Sequence, residues 1–198
     1  LIDIVVASNA PKVELFLNEK SLGKQELNKI RKKGFLGSWQ IPYENGELVA
    51  IAFDENDKEI TKCVRHSFKD AKQIEVMLSK DIINADCSEL VFAEVFVKDE
   101  DGNVVENANN LINIKIEGGY IVGMDNGDST DTTEYKTNSK RLFNGKLSVI
   151  IKAKTNADKI KLEFTSKGLK KAEARLLINK NIAIIEGISE KAYLRLED

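Results

Sequence analysis

Apolar residues alternate with polar ones along most of this chain, and this pattern constrains its fold more than any other feature. Ile112, Ile114 and Ile116, for example, share one parity and are separated by Asn113 and Lys115. Successive side chains of a strand point to opposite faces, so a period of two predicts half-buried antiparallel strands. The same spacing recurs at Ile2–Val6, Val13–Leu17, Val91–Val97, Leu147–Ile151, Ile160–Phe164 and Ala172–Ile178. The sequence therefore predicts an all-β protein.

Turn sequences separate the predicted strands at the spacing of a β-sandwich. Asp54–Asp57, Asp99–Asn103 and Asn144–Gly145 are rich in Asn, Asp and Gly, which tolerate positive φ. Hairpin turns at this spacing are typical of immunoglobulin-like sandwiches.

A polar connector at Lys69–Lys72 divides the strand series into two parts. Each part is long enough to bury a core of its own. We expect two immunoglobulin-like antiparallel β-sandwich domains in tandem, at residues 1–70 and 71–180, followed by a C-terminal tail at 181–198. The chain opens at Leu1, inside an alternating pattern and without Met, which we interpret as the start of an excised fragment.

Two segments have ambiguous patterns. Lys24–Lys33 is compatible with a turn or two of helix rather than a strand. In the tail, Ile184–Ile185 is compatible with the end of a strand, and Ser189 is compatible with the N-cap of a short helix.

Composition argues against two classes of partner. The formal net charge is −2, which gives no attractive field for nucleic acid or for an anionic membrane. The short basic run Lys29–Lys33 is typical of a solvated loop. No window approaches the ~20 apolar residues of a membrane span. We expect neither a nucleic-acid partner nor a membrane partner.

Few residues are suited to nucleophilic or metal chemistry. Cys63 and Cys87 fall in different predicted domains, and we interpret them as free, partly buried thiols; a disulfide between the domains is the alternative. His66 is the only histidine and shares its parity with Val64 and Phe68, as a strand residue would. A zinc site needs about four ligands, which this chain does not supply.

Acidic residues are abundant, but their pattern does not indicate a catalytic pair. Glycoside hydrolysis needs two carboxyl groups at a fixed separation, often one with a raised pKa. No acidic residue has an obviously apolar, concave setting, so we predict no catalytic residue, no cofactor-binding residue and no metal ligand. The Asp125–Glu134 loop has the oxygen ligands that calcium prefers, although its spacing differs from an EF-hand. We interpret it as a solvated loop, with weak calcium binding as the alternative.

Trp39 shares its parity with Phe35 and Ile41. This favours a core position over an exposed platform for stacking sugars. A buried indole requires a hydrogen-bond acceptor for its N–H.

Five segments carry motifs in a characteristic order. In the first half they are Ser8–Gly23, which reads SNAPKVELFLNEKSLG, and Trp39–Leu48, which reads WQIPYENGEL. In the second half they are Asp99–Val105, Gly123–Asp128 and Phe143–Gly145. Together they resemble the C-terminal β-sandwich modules of glycoside hydrolase family 2 enzymes of the bacterial β-galactosidase type.

The resemblance implies a non-catalytic accessory region of a β-galactosidase-like enzyme that hydrolyses terminal O-glycosidic bonds of carbohydrates. The catalytic glutamates of that family lie in a (β/α)8 barrel, which needs roughly 250 residues, so none is carried over to this chain. The implied partners are the barrel and the other domains of the parent chain, which this region would support by packing or by shaping substrate access. A carbohydrate-binding module with an exposed aromatic strip, and an immunoglobulin-like adhesion or spacer array, are the alternatives.

One residue departs from the family pattern. Glu19 stands where the family usually has Gly after Asn18. Gly suits the positive φ of a tight hairpin, so Glu19 predicts either a different turn type or a little strain.

Overall fold

The computed structural model describes residues 1–27, 35–84 and 89–179, and every regular element in these residues is a β-strand. The all-β prediction is confirmed. The chain divides into two compact units, the first at Leu1–Ser67 and the second beginning at Phe68. No helix in the described parts of the chain is long and apolar enough to cross a membrane.

The first unit contains six strands: β1 (Ile2–Ala7), β2 (Lys12–Leu17), β3 (Lys20–Glu26), β4 (Leu36–Ile41), β5 (Glu47–Phe53) and β6 (Glu59–His66). Strands β1 and β4 form a two-stranded sheet, and the other four form a sheet in the order β3-β2-β5-β6. All pairs in this unit are antiparallel.

The core of the first unit is built on the predicted inward parity. Val13 and Leu15 of β2 are buried with Ala52 of β5 and Trp39 of β4. The indole N–H of Trp39 donates to the carbonyl of Gly23 at 3.2 Å. The core position of Trp39 and its need for an acceptor are both confirmed.

The ambiguous segments have different outcomes. Strand β3 continues through Lys24 to Glu26, so the helical alternative is wrong for these residues. Residues 28–34, Cys87 and the tail from residue 180 lie outside the described residues, and the predictions made for them stay predictions.

The second unit contains nine strands among its described residues: β7 (Gln73–Leu78), β8 (Ile82–Asn84), β9 (Leu90–Lys98), β10 (Leu111–Glu117), β11 (Gly119–Asp125), β12 (Ser139–Arg141), β13 (Lys146–Ala153), β14 (Lys159–Thr165) and β15 (Ala172–Asn179). One sheet has the order β7-β9-β13-β11 and the other β12-β10-β14-β15-β8. These sheets correspond to the ABED and CFG sheets of an immunoglobulin domain, with β8 and β12 as additional edges.

One strand pair departs from the antiparallel expectation. β8 pairs with β15 in parallel, through Leu177 with Ile82 and Asn179 with Asn84. The chain leaves β7 in one sheet and joins the opposite sheet as β8 after three intervening residues. The first edge strand is therefore shared between the two sheets.

The sandwich interior of the second unit consists of inward-facing aliphatic and aromatic side chains. Val91, Ile112, Ile151, Ile160 and Phe164 are fully buried. Each such side chain contributes roughly 1.5–3 kcal/mol of transfer free energy. The outward parity of the same strands carries most of the charge, as the alternating pattern predicted.

Candidate functional site

The end of the first unit is closed by contacts between its two motif segments. Asn18 lies in the turn between β2 and β3, and its Nδ2 donates to Glu44 Oε1 at 2.9 Å and to the carbonyl of Asn45 at 3.1 Å. Its Oδ1 accepts from the backbone N–H of Glu47 at 2.9 Å. Gly46 has a φ of 149°, and a Cβ there would overlap the Asn18 side chain. The Ser8–Gly23 and Trp39–Leu48 motifs thus form one interlocked structure.

The β2–β3 turn keeps its tight geometry despite the missing glycine. Leu17 pairs with Lys20, so Asn18 and Glu19 form a two-residue loop. Their φ angles are 50° and 66°, and two positive values are the signature of a type I′ hairpin turn. The expectation of a different turn type is therefore wrong. Glu19 instead occupies a left-handed conformation that disfavours a side chain.

Asp99 links separate backbone segments of the second unit, as Asn18 does in the first. Its residue surface is 1% exposed, and its carboxylate accepts backbone N–H bonds from Lys69 at 2.9 Å, Asp101 at 3.0 Å and Asn103 at 2.8 Å. These bonds, led by that from Lys69, lower the pKa of Asp99. The sequence indicated a turn here but gave no sign that the carboxylate would also hold the connector.

Two further motif segments of the second unit are in direct contact. Gly145, with a φ of 75°, donates its N–H to Ala108 O at 3.0 Å. A Cβ at Gly145 would lie 2.5 Å from Val105 O. The Phe143–Gly145 hairpin therefore requires glycine because it packs against the end of the Asp99–Val105 motif.

The Asp125–Glu134 loop is organised by its own side chains. Asp125, Asp128 and Asp131 each accept the backbone N–H of the residue two positions later, at 2.8, 2.9 and 2.8 Å. No group of three acidic, His or Cys side chains that could hold a metal ion occurs in the described parts of the chain.

A lysine provides the positive charge of this loop. Lys140 is 3% exposed, and its Nζ lies 3.0 Å from Asp131 Oδ2 and 2.6 Å from Thr133 Oγ1. Hydrogen bonds from Thr133 and Lys140 lower the pKa of Asp131 well below its usual range. Nothing in the sequence distinguished Lys140 from the other lysines, since its burial depends on the loop that folds over it.

A charged groove lies on strands β10, β14 and β15 of the second unit, and its acidic residues form ion pairs with lysines. The groove has a volume of about 370 Å³, and Glu163 and Glu173 are among its lining residues. Lys171 donates to Glu163 at 2.8 Å and to Glu173 at 2.7 Å, and lowers the pKa of both carboxyl groups. A glycosidase acid requires a raised pKa, so this pair has the opposite electrostatics.

His66 and Cys63 lie on the same edge strand. His66 Nε2 is 3.8 Å from Glu47 Oε2, and both side chains are about half exposed. Cys63 is a free and exposed thiol, so its predicted partial burial is wrong. It pairs with Ala50 across β5–β6, and every residue of the edge strand β6 except Val64 is exposed.

A second groove lies at the closed end of the first unit. It has a volume of about 350 Å³, and Leu22, Ile41 and Pro42 contribute apolar walls. Lys20 and Glu44 also line it. A groove of this size that combines apolar walls with one cation and one carboxylate can hold a small polar ligand.

The fold and these contacts define a protein of two small β-sandwich units, in which the motif residues hold the turns and the ends of the strands in place. Residues 74–175 match the family model described as glycoside hydrolase family 2 C-terminal domain 5. Residues 1–61 match a second model, described as a domain of unknown function, DUF4982. The chain belongs to the family of glycoside hydrolase family 2 C-terminal domains, as its motifs indicated.

Individual relatives agree with this assignment. The chain is 32% identical over 172 residues to beta-galactosidase BoGH2A of Bacteroides ovatus, covering 85% of this chain and 20% of that protein. A solved glycosyl hydrolase family 2 member from Bacteroides cellulosilyticus superposes with a TM-score of 0.79 at 27% identity, covering 90% of this chain and 23% of that one. A beta-glycosidase from Bacteroides vulgatus shares the fold, with a TM-score of 0.80 at 24% identity and coverage of 89% and 22%. The chain thus spans about a fifth of the length of these relatives.

Proposed function

We propose that this chain is a non-catalytic accessory region of a β-galactosidase-like glycoside hydrolase, in which it supports domain packing or substrate access. The parent enzyme would hydrolyse terminal O-glycosidic bonds of carbohydrates. The observation that carries the proposal is that the family motifs are used to fold the chain: Asn18 and Gly46 interlock, and Asp99 binds three backbone amides.

The lowered pKa values of acidic side chains in the charged groove support the non-catalytic part of the proposal. Two of the three glutamates that line the charged groove, Glu163 and Glu173, have a lowered pKa because Lys171 binds both. Catalytic pairs need one carboxyl group that stays protonated near neutral pH.

The experiment compares nitrophenyl galactoside hydrolysis by the 198-residue chain, by the full-length parent polypeptide and by the parent lacking this region. We expect no turnover by the chain, turnover by the parent, and a loss of stability or an altered KM in the truncated parent. Turnover by the pure chain that disappears when one of its own acids is replaced would overturn the proposal.

Carbohydrate binding is a second candidate function, favoured by the groove lined by Lys20 and Glu44. Apolar walls suit the C–H face of a pyranose, and the two charged groups suit its hydroxyls. Calorimetric titration of the chain with galactose-containing oligosaccharides tests this candidate, with Lys20→Ala as the site variant. Absence of heat with the unmodified chain would eliminate it.

A further inference from the structure

The two outer faces of the second unit's sandwich differ in their chemistry. The centre of the β10-β14-β15 face carries opposite charges on neighbouring strands. Lys115 Nζ lies 3.7 Å from Glu163, and Lys161 Nζ lies 3.8 Å from Glu117. Cross-strand pairs of this kind are typical of a face that stays in water.

On that face the exposed apolar side chains Ile82, Leu111 and Leu177 lie towards the ends of their strands, whereas the opposite outer face, on β7-β9-β13-β11, carries a group of them on neighbouring strands. Met77 is 57% exposed, Tyr120 55%, Phe92 49% and Leu90 41%. Ile150 is partly buried beside them. We call these five residues the apolar patch.

Strand register places four members of the apolar patch next to one another, with Tyr120 beyond Lys152 at one side; the four are Met77, Leu90, Phe92 and Ile150. Phe92 lies directly opposite Ile150 across β9–β13. Leu90 and Tyr120 both pair with Lys152, one on each side of β13. Met77 pairs with Glu94, which makes it a diagonal neighbour of Phe92 on the same face.

The other end of this face shows how an outward aromatic residue can be shielded. Phe96 points outward yet is only 7% exposed. Lys98 Nζ lies 5.8 Å from its ring centre and 2.7 Å from Glu75. In the apolar patch, a lysine lies over the ring of Tyr120 alone among the described residues, and that side chain still remains 55% exposed.

Two lysines give the apolar patch a basic border. Lys152 separates Leu90 from Tyr120, and Lys154 Nζ lies 5.1 Å from the centre of the Tyr120 ring. Neither lysine forms an ion pair with a described residue. A complementary surface would therefore be apolar with carboxylates at its edge.

We propose that the apolar patch is a docking surface for another domain of the full-length polypeptide, one that presents an apolar face bordered by acidic residues. This inference rests on the accessory-region part of the proposed function, since it requires that the chain be part of a larger polypeptide. Aromatic residues and Met are enriched at protein interfaces, and a contiguous exposed apolar face marks such a site. The aliphatic share of the patch, Leu90, Ile150 and Met77, favours a protein partner over a sugar.

The chain contains its own probe of this surface. It has two methionines: Met77 in the apolar patch, and Met124, which is 1% exposed. The experiment measures hydrogen peroxide oxidation of both by mass spectrometry in the 198-residue chain and in the full-length polypeptide. We expect Met77 to oxidise about tenfold more slowly in the full-length polypeptide, since oxidation follows exposure. Met124 should react slowly in both.

Two variants with equally exposed starting residues provide the control. Leu90, in the apolar patch, and Leu111, on the opposite outer face, are each 41% exposed. In the full-length polypeptide, Leu90→Glu should restore fast oxidation of Met77, whereas Leu111→Glu should leave it protected. Both variants of the isolated chain should unfold at the temperature of the unmodified chain.

Equal Met77 oxidation rates in the isolated chain and the full-length polypeptide would overturn the inference, and this comparison needs no variant. Met77 protection that rises with the concentration of the isolated chain would assign the patch to a second copy and also overturn it. Protection of the isolated chain by an added galactose-containing oligosaccharide would do the same in favour of a sugar. Galactoside hydrolysis is assayed separately, so protection of Met77 without hydrolysis would overturn the proposed function and leave this inference standing.

Discussion

The Asn18 side chain occupies the space that a Cβ at Gly46 would need. The same side chain donates to the Asn45 carbonyl and accepts from the Glu47 amide on either side of that glycine. The side-chain amide of Asn18 thus holds both the β2–β3 hairpin turn and the start of strand β5 in place. The two motifs of the first unit are parts of one structural feature.

Gly46→Ala should destabilise the first unit by about 3 kcal/mol, because the new methyl group overlaps Asn18 and the backbone is left-handed. Gly23→Ala is the matched control: its φ is 103°, and a Cβ there has nothing within 4 Å. We expect this control to cost only about 1 kcal/mol. Urea unfolding followed by Trp39 fluorescence measures both. Equal effects of the two substitutions would show that Asn18 is not the obstacle.

Glu19→Gly should stabilise the chain by about 1 kcal/mol, because Glu19 has a φ of 66° in an exposed type I′ turn. Asp57→Gly is the contrasting variant. Asp57 has a φ of 60° but also binds Lys12 and Lys24, so the same change there should bring no gain. A shift of the urea midpoint for both variants is the measurement. A loss of stability in Glu19→Gly would contradict the strain assigned to this turn.

Asp99→Asn should lower the melting temperature of the second unit by about 5 °C or more, since an amide oxygen replaces a carboxylate that accepts three N–H bonds. The variant should also change the acid dependence of stability. The folded-state pKa of Asp99 is lowered, so its contribution is fully present above the unfolded value of about 3.9 and is lost as pH falls through the folded value.

Calorimetry between about pH 5 and pH 2 measures this contribution. The difference in melting temperature between the unmodified chain and Asp99→Asn should shrink as the pH falls. Asp70→Asn is the control, because Asp70 is exposed and forms no ion pair with a described residue. A pH-independent difference for Asp99→Asn would refute the carboxylate's role.

Lys140→Met should loosen the Asp125–Glu134 loop, because it removes the cation that holds Asp131 and the donor that binds Thr133. Amide hydrogen exchange in this loop should accelerate about tenfold, since the loop has few other buried contacts. Lys136→Met, an exposed residue in the same region, should leave exchange unchanged. Unchanged amide exchange in the Lys140→Met variant would show that Lys140 does not stabilise this loop.

Glu163→Gln and Glu173→Gln should leave kcat/KM of the full-length parent unchanged on nitrophenyl galactoside. Both glutamates bind Lys171, which lowers the pKa of each and makes them poor proton donors. A large fall in kcat with unaltered stability, for either variant, would reveal a catalytic role.

Period-two alternation predicts strands such as β10, because a residue such as Ile114 can be buried only on one face of a sheet. It also placed Trp39 in the core. It does not mark the three-residue strands β8 and β12, and it left a helical alternative at the end of β3. The exposure of Cys63 escaped prediction because its parity is that of a core residue. Whether such a residue is buried depends on how far the opposite sheet extends, and strand spacing does not report that extent.

The organising polar residues were harder to predict than the core. Asp99 appeared only as part of a turn sequence, although it also binds the Lys69 amide, thirty positions earlier in the chain. Lys140 had no distinguishing neighbour. Contacts between distant segments decide both cases, whereas the local pattern describes only the segment itself.

The bond from the Lys69 amide to Asp99 affects any graft of the second unit onto another scaffold. A joint placed after Lys69 would give the carboxylate a foreign backbone donor, or none at all. A junction upstream of Phe68 would transfer the immunoglobulin-like module together with the hydrogen bond between the Lys69 amide and Asp99.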